Sequence, residues 1–239
     1  MPSRDISDPP TVVVFDLESD CTFKNCPGET RFAQMLHMQA TLACALVLDS
    51  TLCLNPDTRD KAIEDAVSLH WWRDGPVGDD KNPFAQLLRL FDDASCIVAY
   101  NGLDFDFPLL LKHYSPSREG QRRYMSHRLK CLDPLVSLRA VTDLRSGLKL
   151  DTLLLANALS GKTGSGVDAI AMWNDNRRDE LLSYCHQDTL QLAKLVLLPS
   201  LRVPRIGSLP NHVFGIASAL VLQATSMRLA AEAEGFCLV

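Results

Sequence analysis

No apolar run in this 239-residue sequence approaches the roughly 18 residues that a membrane-spanning helix requires. The longest C-terminal candidate, Val213 to Ala224, is interrupted by Gly, Ser and Gln, and it predicts a helix docked on a core. The start, Met1-Pro2-Ser3-Arg4-Asp5, lacks the apolar stretch of a secretory leader, and the eight cysteines form no repeated CxxC pair. An extracellular disulfide framework is therefore not expected, and the expected location is cytoplasmic or nuclear. Positive charge is also scarce. A net charge of −5 argues against a protein that coats nucleic acid through a generally basic surface, because affinity for phosphates comes mainly from Lys and Arg. There is no internal repeat or low-complexity segment. With 46% hydrophobic and 22% charged residues the composition is that of an ordinary globular core, and the length suits one domain with some elaboration.

The charge is uneven. From Lys112 to Lys130 six Lys/Arg face one acid, Glu119, so this strip carries +5 and the remainder −10. A basic strip beside an acidic site would suit a polyanion, although charge runs are often only solvated loops. Residues 1–10, with Pro9-Pro10, read as a tail. Thr11–Phe15 is a continuous β-branched and apolar run, the pattern of a buried central strand. Cys21–Gly28 reads as a loop. Ala40–Asp49 followed by Thr51–Leu54 predicts a hairpin turning near Asp49-Ser50, giving three antiparallel strands at the outset. Helices are expected around Arg59–Leu69 and Pro83–Phe91, the second with Asn82 as N-cap, and a buried strand at Ser95–Tyr100. A helix from Phe105 to Tyr114 carries Pro108 in its first turn, where a missing N–H costs little. A short strand at Leu129–Leu132 and helices at Pro134–Val141, Thr152–Leu159 and Arg177–Leu197 complete the pattern. Together these predict an α/β domain over 11–198 with a mixed five-stranded sheet, antiparallel strands first and parallel ones after, flanked by helices. Residues 199–210 are expected to link to a C-terminal helical extension, 199–239, packed on the same domain.

Chemistry concentrates in three acidic motifs: Phe15-Asp16-Leu17-Glu18-Ser19, Tyr100-Asn101-Gly102-Leu103-Asp104-Phe105-Asp106 and Tyr184-Cys185-His186-Gln187-Asp188. On a strand, Asp16 and Glu18 project to one face about 6.5–7 Å apart, close enough to share a cation. On a helix, Tyr184 and Asp188 stack on one face as phenol and carboxylate. Neither pair says much alone, since acids commonly terminate strands at solvent. Four carboxylates on a strand end, a turn into a helix and a late helix can, however, converge on two divalent cations, an arrangement that serves phosphodiester cleavage.

In this order and spacing the motifs resemble the three exonuclease motifs of the DEDD superfamily of 3′–5′ exonucleases, which have an RNase H-like fold. The likeness is nearest to the tyrosine-bearing (DEDDy) subclass, represented by the proofreading exonuclease domain of family B DNA polymerases and its stand-alone relatives. It spans about residues 11–197 and includes Leu132-Asp133, Lys149-Leu150-Asp151 and Gly161–Gly166 of the connecting region. The resemblance implies that Asp16, Glu18, Asp106 and Asp188 bind two divalent cations, Mg²⁺ or Mn²⁺, and that Tyr184 orients the attacking water. It implies that Leu17, Ser19, Asn101 and Phe105 contact the terminal nucleotide. Asp104 competes with Asp106 as the ligand of the second motif, but the spacing from Asn101 and the preceding Phe105 favour Asp106. His186 lies two residues before Asp188, not the five of the histidine-bearing subclass.

The activity so implied is metal-dependent 3′–5′ hydrolysis of single-stranded nucleic acid, DNA favoured and RNA admitted, to nucleoside 5′-monophosphates. Polymerase motifs are absent, so a proofreading role would need a polymerase or other nucleic-acid-processing partner. The main alternative is a catalytically silent RNase H-like module that binds nucleic acid or protein. An endonuclease on the same fold is a further alternative. A phosphate-binding loop at Ser160-Gly161-Lys162-Thr163 lacks its upstream Gly, Ala156 standing in that place. A zinc site from Cys21, Cys26, His37 and Cys44 lacks regular ligand spacing.

Overall fold

The run Val12-Val13-Val14-Phe15 is fully buried, as expected of a strand covered on both faces. It lies in β1 (Thr11–Ser19), the middle strand of a five-stranded sheet. A computed structural model describes residues 11–75, 81–161, 164–210 and 215. The remaining strands of this sheet are β2 (Ala40–Asp49), β3 (Val67–Trp72), β4 (Ala94–Val98) and β5 (Cys131–Leu132). Their order is β3-β2-β1-β4-β5, with β1–β2 and β2–β3 antiparallel and β1–β4 and β4–β5 parallel. The mixed sheet expected from the sequence is therefore present.

Helix α1 (Arg31–His37) lies between β1 and β2, and α2 (Ser50–Leu54) and α3 (Arg59–Glu64) lie between β2 and β3. Helix α4 (Ala85–Asp93) leads into β4, and α5 (Asp106–Leu110) and α6 (Arg118–Leu129) connect β4 to β5. Then come α7 (Pro134–Thr142), α8 (Leu150–Ala156), α9 (Gly166–Asn174) and α10 (Arg178–Leu197). On one face of the sheet Val12, Val14, Leu46 and Leu48 pack against α7, α8 and the C-terminal half of α10. On the other, Val13, Phe15 and Leu17 pack against Leu87, Leu88 and Phe91 of α4 and Phe107 and Leu109 of α5. Burial of each such side chain contributes about 1.5–3 kcal/mol.

Several expectations need correction. Thr51–Leu54 is not the returning arm of a hairpin: the Asp49 side chain accepts a hydrogen bond from Thr51 N at 2.7 Å and caps α2. The third antiparallel strand is β3, taken from the end of what reads as a helix over Arg59–Leu69; that helix stops at Glu64. The expected helix at Pro83–Phe91 begins two residues later, with Asn82 Oδ1 accepting from Phe84 N at 3.0 Å ahead of it. Residues 200–210, expected as a linker into a helical extension, instead form a hairpin of β6 (Ser200–Val203) and β7 (Gly207–Pro210). The tail at 1–10 and the helix expected at 213–224 lie outside the described residues. Cys21 and Cys26 are joined in a single local disulfide across the loop after β1. Among the described residues no helix is long and apolar enough to cross a membrane.

Most of the basic strip, Arg118–Leu129, folds as α6. Its fully buried residues are Gly120 and His127, with half-buried Tyr124 packed on Phe107 and Tyr114, so no apolar periodicity announces it. Gly120 is required by contact: a Cβ there would stand 2.1 Å from the Ser115 carbonyl oxygen. His127 is held between the Tyr114 hydroxyl and Asp92, each at 2.8 Å. Burial pushes its imidazole down to about 4, overcoming the pull of Asp92.

Candidate active site

The end of β1 sets the first part of the site. Antiparallel register places Asp16 opposite Cys44 and Glu18 opposite Leu42, so both acids lie on the α10 side of the sheet, in line with Val12 and Val14. The register shifts between Glu18 and Ser19, which ends the regular ladder, and Ser19 Oγ donates to the Cys21 carbonyl at 3.1 Å. These acids do not simply trail into water. Glu18 is 7% exposed and Asp16 is half-buried.

The second motif is a tight turn between β4 and α5. Asn101 adopts a left-handed conformation (φ 63°), which Asn tolerates better than most residues, and a Cβ on Gly102 would lie 2.3 Å from that of Ala99. Asp133 holds this turn from below: its Oδ1 accepts from Asn101 N at 2.9 Å and its Oδ2 from Leu103 N at 3.1 Å. The same carboxylate caps α7 by accepting from Leu135 N at 3.0 Å. The turn delivers Asp106 to the first turn of α5, where the helix N-terminus favours negative charge. Parallel pairing of β1 with β4 stops at Val14–Val98. Beyond it, Leu17 N donates to Asp106 Oδ1 at 3.0 Å, so the second motif is tied directly to the first. Asp106 is 2% exposed, whereas Asp104 is exposed. Burial, and after it the charges of Asp16 and Asp133, pushes the Asp106 carboxyl well above the usual carboxylate range, with the Leu17 N–H opposing.

Helix α10 brings the third part. Tyr184 and Asp188 are both buried, and their side chains share a hydrogen bond. Burial raises the Tyr184 phenol far above its ordinary value, and Glu18, Asp188 and Asp16 raise it further, so the hydroxyl keeps its proton. A Cβ on Gly164 would stand 3.4 Å from the Tyr184 ring, which shows how closely the segment before α9 covers it. Cys185, one residue on, faces the sheet: its Sγ lies 3.7 Å from the Asp16 carbonyl oxygen and 3.8 Å from Asp16 Oδ2. Ligand atoms of Asp16, Glu18 and Cys185 all lie within 4.8 Å of one another. Burial, then Cys44 and the two acids, pushes the Cys185 thiol well up, leaving the carboxylates as the anionic donors.

Asp16, Glu18, Asp106, Tyr184 and Asp188 are thus linked by contact or by field at one end of the sheet. Buried like charges of this kind are costly unless compensated, and hard carboxylate oxygens are the donors that Mg²⁺ and Mn²⁺ prefer. The Asp16–Glu18 pair fits a divalent cation, while Asp106 and Asp188 are not in the group whose ligand atoms lie within 4.8 Å of one another. The other four expected residues divide. Leu17 turns its side chain into the opposite core and offers the site its backbone N–H, while Asn101 shapes the turn. Ser19 is buried with its hydroxyl bound to the Cys21 carbonyl, and half-buried Phe105 stands edge-on to Phe23 with ring centroids 6.0 Å apart. The sequence does not mark Asp133 or Cys185 as site residues. An Asp before Pro134 at a helix start signals a cap, but nothing in the sequence signals its grip on the Asn101 turn.

A family model described as the RNase_H superfamily matches residues 61–198, more than half of the chain. The match includes Asp106, Tyr184 and Asp188 and begins after Asp16 and Glu18. Among solved structures the chain is similar to a family B DNA polymerase from the hyperthermophilic archaeon Pyrobaculum calidifontis, with a TM-score of 0.51 and 16% sequence identity. That likeness covers 79% of this chain and 24% of the polymerase chain, and at such identity it is one of fold. Comparison with curated proteins gives no match.

Proposed function

Since the chain belongs to the RNase_H superfamily, we propose that it is a metal-dependent 3′–5′ exonuclease that removes nucleoside 5′-monophosphates from single-stranded nucleic acid, DNA in preference to RNA. The observation that supports this most is the tie from Leu17 N to Asp106, which joins two acidic motifs 89 residues apart beside the Tyr184–Asp188 pair. Asp16, Glu18, Asp106 and Asp188 would hold two divalent cations. When bound, such ions neutralise the scissile phosphate, lower the pKa of a water and stabilise the departing 3′-oxygen.

The protein's own groups have distinct tasks. Tyr184, kept protonated and oriented by Asp188, directs the attacking water through its hydroxyl. The Leu17 N–H fixes the Asp106 carboxylate, and Asp133 fixes the turn that carries it. Phe105, backed by Phe23, offers an apolar wall for the terminal base. Ser19 and Asn101 flank the terminal nucleotide, and Leu17 lies beneath it. A polymerase or another nucleic-acid-processing protein is the partner proposed for a proofreading role.

Matched DNA and RNA oligonucleotides carrying a 5′ label, incubated with Mn²⁺ and with EDTA, test the reading. A ladder shortening from the 3′ end, stronger on DNA and abolished by EDTA, is expected. Internal cuts would indicate an endonuclease, and intact strands a silent module.

A further inference from the structure

Part of the positive charge between Lys112 and Lys130 is committed to the fold. Arg123 clamps Asp92 through two bonds of 2.8 and 2.7 Å. Arg128 donates to the Leu103 carbonyl at 2.7 Å, and Lys130 Nζ to the Asp92 carbonyl at 2.8 Å. Lys112 and Arg122 of this strip line an open cleft of about 1040 Å³ between α4 and α6. Besides the Arg123–Asp92 pair, its charged lining is Lys81, Arg89, Lys112 and Arg122 against Glu119. Four cations against one acid is the reverse of the balance of a chain whose net charge is −5.

The cleft connects to the acidic site through the helical stretch that begins at Asp106. Lys112 follows Asp106 by six residues of helix, about 9–12 Å. Its Nζ donates to the Met38 carbonyl and feels the charge of Asp20, two residues beyond Glu18. We infer that this cleft holds the phosphodiester backbone of the same single strand whose 3′ end enters the acidic site, an inference that rests on the nuclease reading above. The cations come from three separate stretches of chain, and four of them sit on exposed residues, Lys81, Arg89, Lys112 and Arg122. Such a spread of charges suits a ligand with repeated negative charge rather than one compact phosphate, and tracking of a strand by a positive groove works in this way. The strand's terminus is then read by the acids and its body is held by the cleft.

The test uses the full chain and the double variant Lys81→Glu/Arg122→Glu, whose two positions are exposed and outside the acidic site. Binding of a long fluorescein-labelled DNA single strand is followed by anisotropy in EDTA across a salt series, and hydrolysis of a dinucleotide is followed in Mn²⁺. Expected are a loss of affinity of about tenfold or more and a fall of about 1.4 in the slope of log K against log salt, 0.7 for each phosphate contact removed. Dinucleotide hydrolysis and the circular dichroism melt should be unchanged. Equal affinity and slope in variant and wild type, or no binding by the wild type at low salt, overturns the cleft. Wild type that binds through the cleft yet releases no mononucleotide from any substrate refutes the nuclease reading and leaves the strand-binding cleft in place.

Discussion

Replacing Asp106 by Asn separates the cost of the acidic site from its use. The carboxyl is 2% exposed and lies within the fields of Asp16 and Asp133, which together with burial raise its pKa in the folded state. A carboxyl raised on folding binds its proton more tightly in the native chain than in the unfolded one. Its stabilising protonation is therefore complete below the unfolded value and is lost as pH rises through the folded value. At neutral pH and without metal, above the unfolded value, Asp106 is then a burden, because the unfolded chain gives up this proton more readily than the folded one. Asn keeps an oxygen to accept the 3.0 Å bond from Leu17 N and removes the charge. The relief is on the order of the desolvation cost of one poorly compensated buried group, about 2 kcal/mol. In a chain of this size that raises Tm by about 4–8 °C. Melts in EDTA at neutral pH should show this gain, while activity disappears. Added Mn²⁺ should raise the Tm of the wild type and leave Asp106→Asn nearly unmoved, because only a native state that binds the ion is stabilised by it. A variant less stable than wild type in EDTA would refute the reasoning, since Asp106 would then be a net stabilising anion.

Tyr184→Phe should lower kcat by about 10²-fold or more, the range of a positioned acid–base group, with KM little changed; a change in KM alone would contradict the water-directing role. Because the phenol stays protonated, the wild-type rate should show no loss assignable to Tyr184 up to the alkaline limit of the assay. Asp133→Ala removes the acceptor of the Asn101, Leu103 and Leu135 N–H groups and should cost about 2–4 kcal/mol in urea unfolding, with hydrolysis slowed at permissive temperature. Burial holds His113 down to about 4 in the folded state, so the unfolded chain takes up a proton that the native chain refuses as pH falls from about 6.5. Its stabilising contribution is therefore lost on acidification over that window, about 1.4 kcal/mol for each pH unit. Urea unfolding of His113→Gln should show a shallower pH dependence by that amount, and equal slopes would contradict it.

Strand β1 is legible because burial on both faces writes an unbroken β-branched run, and α10 because twenty residues sustain an apolar pattern. The edge strand β3 is not, since Val67–Trp72 is half exposed and interrupted by Ser68 and His70, with no clear alternation. Helix α6 escapes notice because its seat rests on a glycine contact and a hydrogen-bonded histidine instead of an apolar stripe. The acids of the site are legible as residue types at chemically telling spacings. What spacing cannot convey is how they are held: the Leu17–Asp106 bond, the Asp133 anchor and the Cys185 thiol against Asp16 depend on chain segments that meet only in the fold.

The most direct measurement is Mn²⁺-dependent release of mononucleotide from a 3′-labelled DNA single strand by wild type and Asp16→Asn, each checked for fold by circular dichroism. The account predicts release of the labelled nucleoside 5′-monophosphate by the wild type, none in EDTA, and a loss of at least about 10³-fold in the variant. Full metal-dependent release by Asp16→Asn, or none by a well-folded wild type, would contradict it.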